Sequence, residues 1–271
     1  MSDLIARYAD RWSLRTGAPL PGGYVSVVVA ARCVDGTDAV LKLQPPGDRE
    51  SELEAAALAC WNGQAAVRLL AHDPVGRALL IERCRPGDPV ASLAPEAALD
   101  VYVDLLPRLW RPVTGPFTPL TREARRWATN IPKRWEQAGR PFERRLVDAA
   151  VDLLTGLAAS QPQTQVLLHQ DLHAGNVLRA QREPWLVIDP KPLVGERAFG
   201  LAPVVRGVEL GHSRALVRRR LDRLSAELGV DRQRACGWTI GQSLAWAFTD
   251  GPPLTAHLDV VRWLLSELSD R

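Results

Sequence analysis

The stretch Leu168-His169-Gln170-Asp171-Leu172-His173-Ala174-Gly175-Asn176, followed by Ile188-Asp189-Pro190, decides how this chain is read. Its spacing is H-x-D-L-x-x-x-N, with a second aspartate thirteen residues after Asn176. A hydroxyl made to attack an electrophile needs a carboxylate within hydrogen-bond reach to take its proton, and a hard divalent cation needs oxygen ligands. One aspartate serves both ends badly, because a metal-bound carboxylate is a poor base. The pattern therefore assigns Asp171 as the base, Asp189 as a metal ligand and Asn176 as a neutral second ligand. An Asx-rich turn between two strands is the plain structural alternative. His169 is read as fixing the loop by hydrogen bonds, and His173 as a core or surface residue. A dinuclear metal hydrolase would need a second cluster, and His72, His212 and His257 form none.

Working outward, short strands are expected around the loop at 166–168, 177–179 and 185–188, and the pattern is helical from about 200 onward. Upstream, helices are expected over about 95–110, 121–137 and 142–159, with Pro95 and Pro141 as helix-starting residues. Arg85-Pro86-Gly87-Asp88-Pro89 reads as a linker. Before it, Leu4, Ile5, Tyr8 and Trp12 mark an amphipathic helix over 3–15. Strands follow at 25–34 and 39–43, joined by the hairpin signal Asp35-Gly36. A helix over 48–61 turns Leu53, Ala57, Cys60 and Trp61 inward, and strands at 67–71 and 78–83 flank the turn Asp73-Pro74-Val75-Gly76. The fold class is α+β and bilobed: a small, mainly-β lobe over 1–84 with one inserted helix, and a larger, mainly-α lobe over 85–271.

Composition narrows the function. The 271 residues carry a net charge of +3, too small to imply nucleic acid, and the arginine runs 122–134 and 218–220 read as solvated helix faces. No apolar run approaches the ~20 residues that span a bilayer, and no leader is apparent. Cys33, Cys60, Cys84 and Cys236 are far apart and fit reduced, packed thiols in a cytoplasmic protein. A small-molecule acceptor is the expected partner, with no nucleic acid and no membrane, and the chain as a monomer or weak dimer. Of 34 basic residues only Lys42, Lys133 and Lys191 are lysine, so each lysine raises the question of what needs a compact point charge.

Lys42 alternates with Leu41 and Leu43 on its strand and so points to the opposite face, either to solvent or to a ligand. Ala39-Val40-Leu41-Lys42 resembles the V-A-I-K strand of kinases, whose lysine grips the α- and β-phosphates. Its partner carboxylate is read as Glu54, three residues before Ala57 and six before Cys60, with Glu52 second among Glu50, Glu52 and Glu54. Ser51-x-x-Glu54 is also a capping box. Gly22-Gly23 with Tyr24-Val25-Ser26 is either a loop that covers phosphates with backbone N–H groups or a plain strand-entry turn. It matches neither G-x-G-x-x-G nor G-x-x-x-x-G-K-[ST], which counts against a Walker-type site. Where the small lobe ends, the C=O of Glu82 and the N–H of Cys84 are the pair expected to meet an adenine edge.

With these motifs in order, the chain resembles the aminoglycoside phosphotransferase family, most specifically its streptomycin 6-kinase and hydroxyurea phosphotransferase branch. The resemblance is carried by LHQDLHAGNVLRAQREPWLVIDPKPLVGERAFGLA over 168–202, DGTDAVLKL over 35–43 and QAAVRLLAHDP over 64–74. It implies a protein-kinase-like fold, ATP, Mg2+ and phosphorylation of a hydroxyl on a small molecule, with an aminoglycoside of streptomycin type as the expected acceptor. It also implies the roles above for Lys42, Glu54, Asp171, Asn176 and Asp189. Gln170 stands where the family usually has Gly, Ala174 where it has Pro, and Glu196-Arg197 where it has Asp-Pro. Gly200 stands where the branch generally has an aspartate that supports the catalytic loop. That last departure keeps open a non-catalytic relative that only holds a nucleotide or partner, beside a kinase of a different small metabolite. A cationic acceptor would favour acidic residues such as Glu209 and Asp250. Trp127, Trp238 and Trp246 are either a wall of that pocket or core. A protein kinase is disfavoured, since Asp189-Pro190-Lys191 replaces D-F-G and no A-P-E follows.

Overall fold

A computed structural model describes residues 2–20, 26–45, 53–160, 162 and 164–269. The chain forms two compact units, one of Met1–Asp88 with Leu178–Lys191 and one of Pro89–Val177 with Pro192–Arg271. The first is rich in sheet and the second in helix.

In the first unit, α1 (Ser2–Arg11) leads into β1 (Arg15–Pro19), β2 (Val27–Arg32) and β3 (Asp38–Leu43). Helix α2 (Glu54–Trp61), β4 (Leu69–Asp73) and β5 (Ala78–Glu82) follow. The five strands form one sheet in the order β1-β2-β3-β5-β4, every pairing antiparallel. The two-residue side-chain period divides β3 cleanly. Ala39, Leu41 and Leu43 join Val29, Ala31 and Leu80 in a core closed by Tyr8, with Leu4, Ile5 and Trp12 of the α1 segment packed on it. Lys42 faces the other way, paired in register with Leu79 and Val28.

The amphipathic stripe of α1 is as expected, but the helix stops at Arg11 because Arg15–Pro19 pairs with β2 as an exposed edge strand. Nothing in Arg-Thr-Gly-Ala-Pro alternates apolar with polar, so that strand leaves no periodic trace. The strand expected over 25–34 is β2, and Val34 lies exposed beyond its end. Leu53 and Cys60 are half-buried, while Ala57, Leu58 and Trp61 are enclosed. Asp73 ties the β4–β5 turn to α1: Oδ1 accepts the N–H groups of Val75 and Gly76 at 3.1 Å, and Oδ2 accepts the Tyr8 hydroxyl at 2.8 Å.

The second unit contains α3 (Pro95–Leu109), β6 (Thr118–Pro119), α4 (Leu120–Gln137), α5 (Arg144–Ala159) and β7 (Val166–Leu168). In chain order, β8 (Val177–Arg179) and β9 (Trp185–Val187) come next, in the segment that groups with the first unit, and β10 (Leu193–Gly195) follows in the second. Four helices complete it: α6 (Ala202–Arg206), α7 (Arg214–Glu227), α8 (Arg232–Ala245) and α9 (Thr255–Ser269). Strands β6, β10 and β7 make a small sheet; β6 and β10 are too short to show a pattern in sequence. Pro95 opens α3 as expected, whereas Pro141 precedes α5 by three residues. The Phe142 carbonyl accepts the Trp135 indole N–H at 2.9 Å, which makes 141–143 a strap and delays the helix.

Segment 178–191 groups with the first unit because its backbone and Arg182 bond there. The Val67 N–H donates to the Val187 carbonyl at 3.1 Å, the Arg179 N–H reaches the Asp88 carbonyl at 2.8 Å, and Arg182 forks onto Glu82 at 2.8 Å.

Helix α8 is the axis of the second unit. Every residue from Ala235 to Ala245 is buried, and α4, α5, α6, α7 and α9 all pack on it. Close approach needs small residues: a Cβ at Gly241 would stand 2.5 Å from Leu154 Cδ2. Glu196 anchors the helix, accepting the Trp238 indole and both arms of Arg234, each at 2.6 Å. The run Arg218-Arg219-Arg220 is only partly a solvated face. Arg220 is buried and donates to the carbonyls of Val205, Leu210 and Gly211 at 2.9–3.1 Å. It satisfies the Val205 carbonyl in the last turn of α6 and two carbonyls of the turn that follows the helix. No disulfide joins any of the four cysteines.

Glu196→Ala would leave the Trp238 and Arg234 donors without their shared acceptor. We expect a loss of about 3 kcal/mol in urea unfolding, with Glu196→Gln retaining part of it.

Candidate active site

In the first unit, a cation is enclosed by acids. Lys42 on β3 is 6% exposed. Its Nζ donates to Glu54 Oε2 at 2.7 Å and also to Asp189 Oδ1. Glu54 is the first residue of α2 and wholly buried, and the Gln44 amide reaches the same Oε2 at 2.8 Å. Burial opposes charge on Lys42, but the two carboxylates overcome it and hold its pKa above the ordinary lysine value. Burial holds Glu54 above the usual carboxylate range. Asp189 adopts φ +56°, a left-handed conformation that aspartate tolerates better than most residues. Its side chain is 39% exposed, so it meets Lys42 while still reaching solvent. The structure brings Lys42, Glu54 and Asp189 together, and adds Gln44, which no sequence motif singles out. The alternatives Glu50 and Glu52, the cap residue Ser51, and Gly22 to Val25 of the glycine turn lie outside the described residues.

In the second unit, the loop after β7 is a run of tight turns. The Asp171 N–H meets the His169 carbonyl at 2.8 Å, His173 meets Asp171 at 2.9 Å, and Asn176 meets His173 at 2.9 Å. The Asn176 side-chain amide donates to the Asp171 backbone carbonyl at 2.9 Å, so its Oδ1 is the atom left to act as a ligand. Gln170 stands at φ +64°, a conformation that suits glycine. It is held there by the Gln242 side chain, which donates to the Gln170 carbonyl at 2.9 Å. Asp171 is buried with Arg206 Nη2 3.8 Å from its Oδ1.

His173 Nδ1 lies 3.1 Å from both the Gly175 N–H and Glu209 Oε1. Unprotonated it accepts the first, and protonated it donates to the second. This contact, led by the hydrogen bond from His173, holds Glu209 below the ordinary carboxylate range. The pairing gives His173 a more specific setting than a generic core or surface site.

The remaining candidates are more loosely defined. Ser26 is half-buried at a bend. The Glu82 carboxylate bonds Arg182 and the Arg68 N–H. Cys84 is buried, which pushes its thiol up to about 12; any ligand contact at these two would use backbone, as the sequence reading supposes. Trp127 and Trp238 are core, packed on either side of Phe199 at 6.0 and 5.6 Å. Trp246 lies under the Arg206 guanidinium at 4.7 Å, and Asp250 is exposed. Gly200 has a steric cause: a Cβ there would stand 2.8 Å from Trp110 Nε1. The indole occupies the space that a side chain at this position would need, and the Gln242 side chain holds the loop at the Gln170 carbonyl.

A family model described as aminoglycoside/hydroxyurea antibiotic resistance kinase matches residues 11–251. The chain belongs to this family. It is 38% identical to a streptomycin 6-kinase of Streptomyces glaucescens, over 92% of this chain and 83% of that one. It is 39% identical to a hydroxyurea phosphotransferase of Kitasatospora aureofaciens, over 91% and 73% of the two chains. A solved aminoglycoside phosphotransferase from Streptomyces rimosus, in complex with ADP and streptomycin, shares the fold. Its TM-score is 0.60 at 20% identity, covering 91% of this chain and all of that one. The chain is therefore a small-molecule phosphotransferase of kinase-like fold. No helix among its described residues is long and apolar enough to cross a membrane.

In Lys42→Met, burial and the neighbouring Asp189 charge hold Glu54 above its unfolded pKa of ~4.3, with no ammonium to oppose them. The native variant then keeps a proton that the unfolded chain releases, so its stability falls as pH climbs above ~4.3. Urea midpoints should show a larger deficit against the parent at about pH 8 than at about pH 5.

Proposed function

We propose that this chain transfers the γ-phosphoryl group of ATP to a hydroxyl of an aminoglycoside of streptomycin type. The observation that carries the reading is the buried ammonium of Lys42 between Glu54 and Asp189. Desolvating a lysine and the Glu54 carboxylate costs several kcal/mol per ion unless the geometry compensates. A point charge kept in such a place matches the grip on nucleotide phosphates that the V-A-I-K strand supplies. Glu54 would orient Lys42, and Lys42 would hold the α- and β-phosphates.

The donor chemistry fits magnesium, which takes one or two protein oxygens and completes its shell with phosphate and water. Of the two carboxylates on Lys42, Glu54 is enclosed and Asp189 reaches solvent, so Asp189 is the one suited to a cation. Asn176 offers its amide oxygen, because its nitrogen is committed to the Asp171 carbonyl. When bound, the ion would neutralise phosphate charge.

Asp171 would accept the acceptor's hydroxyl proton as the oxygen bonds to the γ-phosphorus and the bond to the β-phosphate oxygen breaks, releasing ADP. Ser26 and the backbone of Glu82 and Cys84 would contribute to nucleotide contact, in the cytoplasm where ATP is available. Residues 1–84 would serve chiefly the nucleotide, and 85–271 the acceptor and catalysis. Hydroxyurea is the second acceptor to consider, given the relative of that name. A chain that merely holds nucleotide is disfavoured, since Gln242 and Arg206 reach the loop that Gly200 does not support.

The test is an acceptor panel containing streptomycin and hydroxyurea, incubated with ATP and magnesium and read by mass spectrometry. We expect one added phosphate on streptomycin and a fall of about a thousandfold in turnover for Asp171→Asn, within the usual span for a general base. Lys42→Ala should raise the KM for ATP. If ATP binds and no acceptor gains mass, the chain is a binding protein.

A further inference from the structure

Arg206 is a buried cation that the roles above do not use. It is 8% exposed, the last residue of α6, and three of its surfaces are fixed. Its guanidinium lies over the Trp246 ring at 4.7 Å, Nε points to Gln242 Oε1 at 3.4 Å, and Nη1 lies 3.2 Å from His257 Nε2.

The histidine tautomer follows from its other contact. Nδ1 of His257 is 3.2 Å from the Ser243 carbonyl, which can only accept, so Nδ1 carries the proton. Nε2 is then a lone-pair acceptor, and Arg206 donates to it. Burial, reinforced by the Arg206 charge, lowers the His257 pKa to about 4, which keeps the ring neutral in that tautomer.

The fourth surface faces the catalytic loop. Arg206 Nη2 is buried and has no hydrogen-bond partner among the described residues, and Asp171 Oδ1 stands 3.8 Å from it. A buried donor left without an acceptor costs about 1–3 kcal/mol. An approach of less than ~1 Å would close the gap, and catalytic hydrogen bonds are often loose before substrates bind. Gln242 spans the same gap from the side: its Oε1 faces Arg206 and its Nε2 holds the carbonyl of Gln170, the residue before Asp171.

We propose that Arg206 is a positioning residue, braced by His257 and Gln242, that sets the Asp171 carboxylate for proton transfer by taking one of its oxygens. The inference rests on Asp171 being the base. Its chain of contact runs Ser243 carbonyl, His257, Arg206, Asp171, carrying the rigidity of α8 and α9 into the loop. It occupies the role that the branch's aspartate would have at Gly200.

A double-mutant cycle tests it, with ATP, magnesium and streptomycin as the assayed mixture. Arg206→Met should lower kcat by about a hundredfold with the KM for ATP unchanged within about twofold, as expected for misplacement on the order of 1 Å. His257→Phe should lower kcat about tenfold in the parent and by less than about twofold in Arg206→Met, because one route carries both effects. Arg206→Lys and His257→Gln, which keep a donor and an acceptor, should recover much of the loss and guard against a folding defect. Nitrogen-15 spectra of the Arg206 guanidinium need no turnover: Asp171→Asn should shift them and His257→Phe should broaden them. Additive kcat losses together with unchanged spectra in Asp171→Asn would overturn the proposal. Absence of phosphorylation by the parent would sink the functional reading instead, and the spectra would still decide the contact.

Discussion

One ammonium in a place that water barely reaches organises the first unit. Lys42 is affordable there only because Glu54 and Asp189 arrive from two other parts of the chain. That requirement dictates much around it: α2 must begin at Glu54, Gln44 must turn back to the same oxygen, and segment 178–191 must return to the sheet to deliver Asp189. Any one of these moved by a turn would strand a buried charge. The constraint also separates the two acids by accessibility, which is what gives them different chemistry.

The loop of the second unit solves a different problem, that of holding a reactive carboxylate in irregular backbone. Its turns satisfy their own amides, but Gln170 sits in a conformation that costs a non-glycine residue about 1 kcal/mol or more. Support comes from outside the loop, through Gln242 on its carbonyl and Arg206 beside Asp171. The exchange of an expected aspartate for Gly200 is therefore coherent with its surroundings. Trp110 fills the volume, and helix-borne side chains carry the mechanical task.

Much of this was readable beforehand, for local reasons. Lys42 stood out because this chain writes arginine almost everywhere else, and strand alternation set its face. Glu54 followed from its spacing to the buried stripe of α2. The loop from His169 to Asn176 is contiguous, so its turns and its strand-bounded ends were visible together. What escaped reading is what only packing creates. Arg206 is one arginine among many, Gln242 and His257 lie far along the chain on helices, and no spacing links them to Asp171. Arg220 was taken with its neighbours as solvated, although burial against α6 gives it a different task. Strands β1, β6 and β10 were missed because they are exposed or too short to alternate, and a partner strand supplies what their own residues do not.

Helix α8 has an implication for how such a chain can diversify. Arg234 near its start and Trp238 at its middle are locked to Glu196, Gln242 nearer its end reaches the loop, and Ala235 to Ala245 are all enclosed. Thermodynamic robustness and turnover share a single rod and are hard to tune separately through it. New acceptor preferences should then accumulate at exposed positions on neighbouring helices, leaving this rod nearly constant while its surroundings drift.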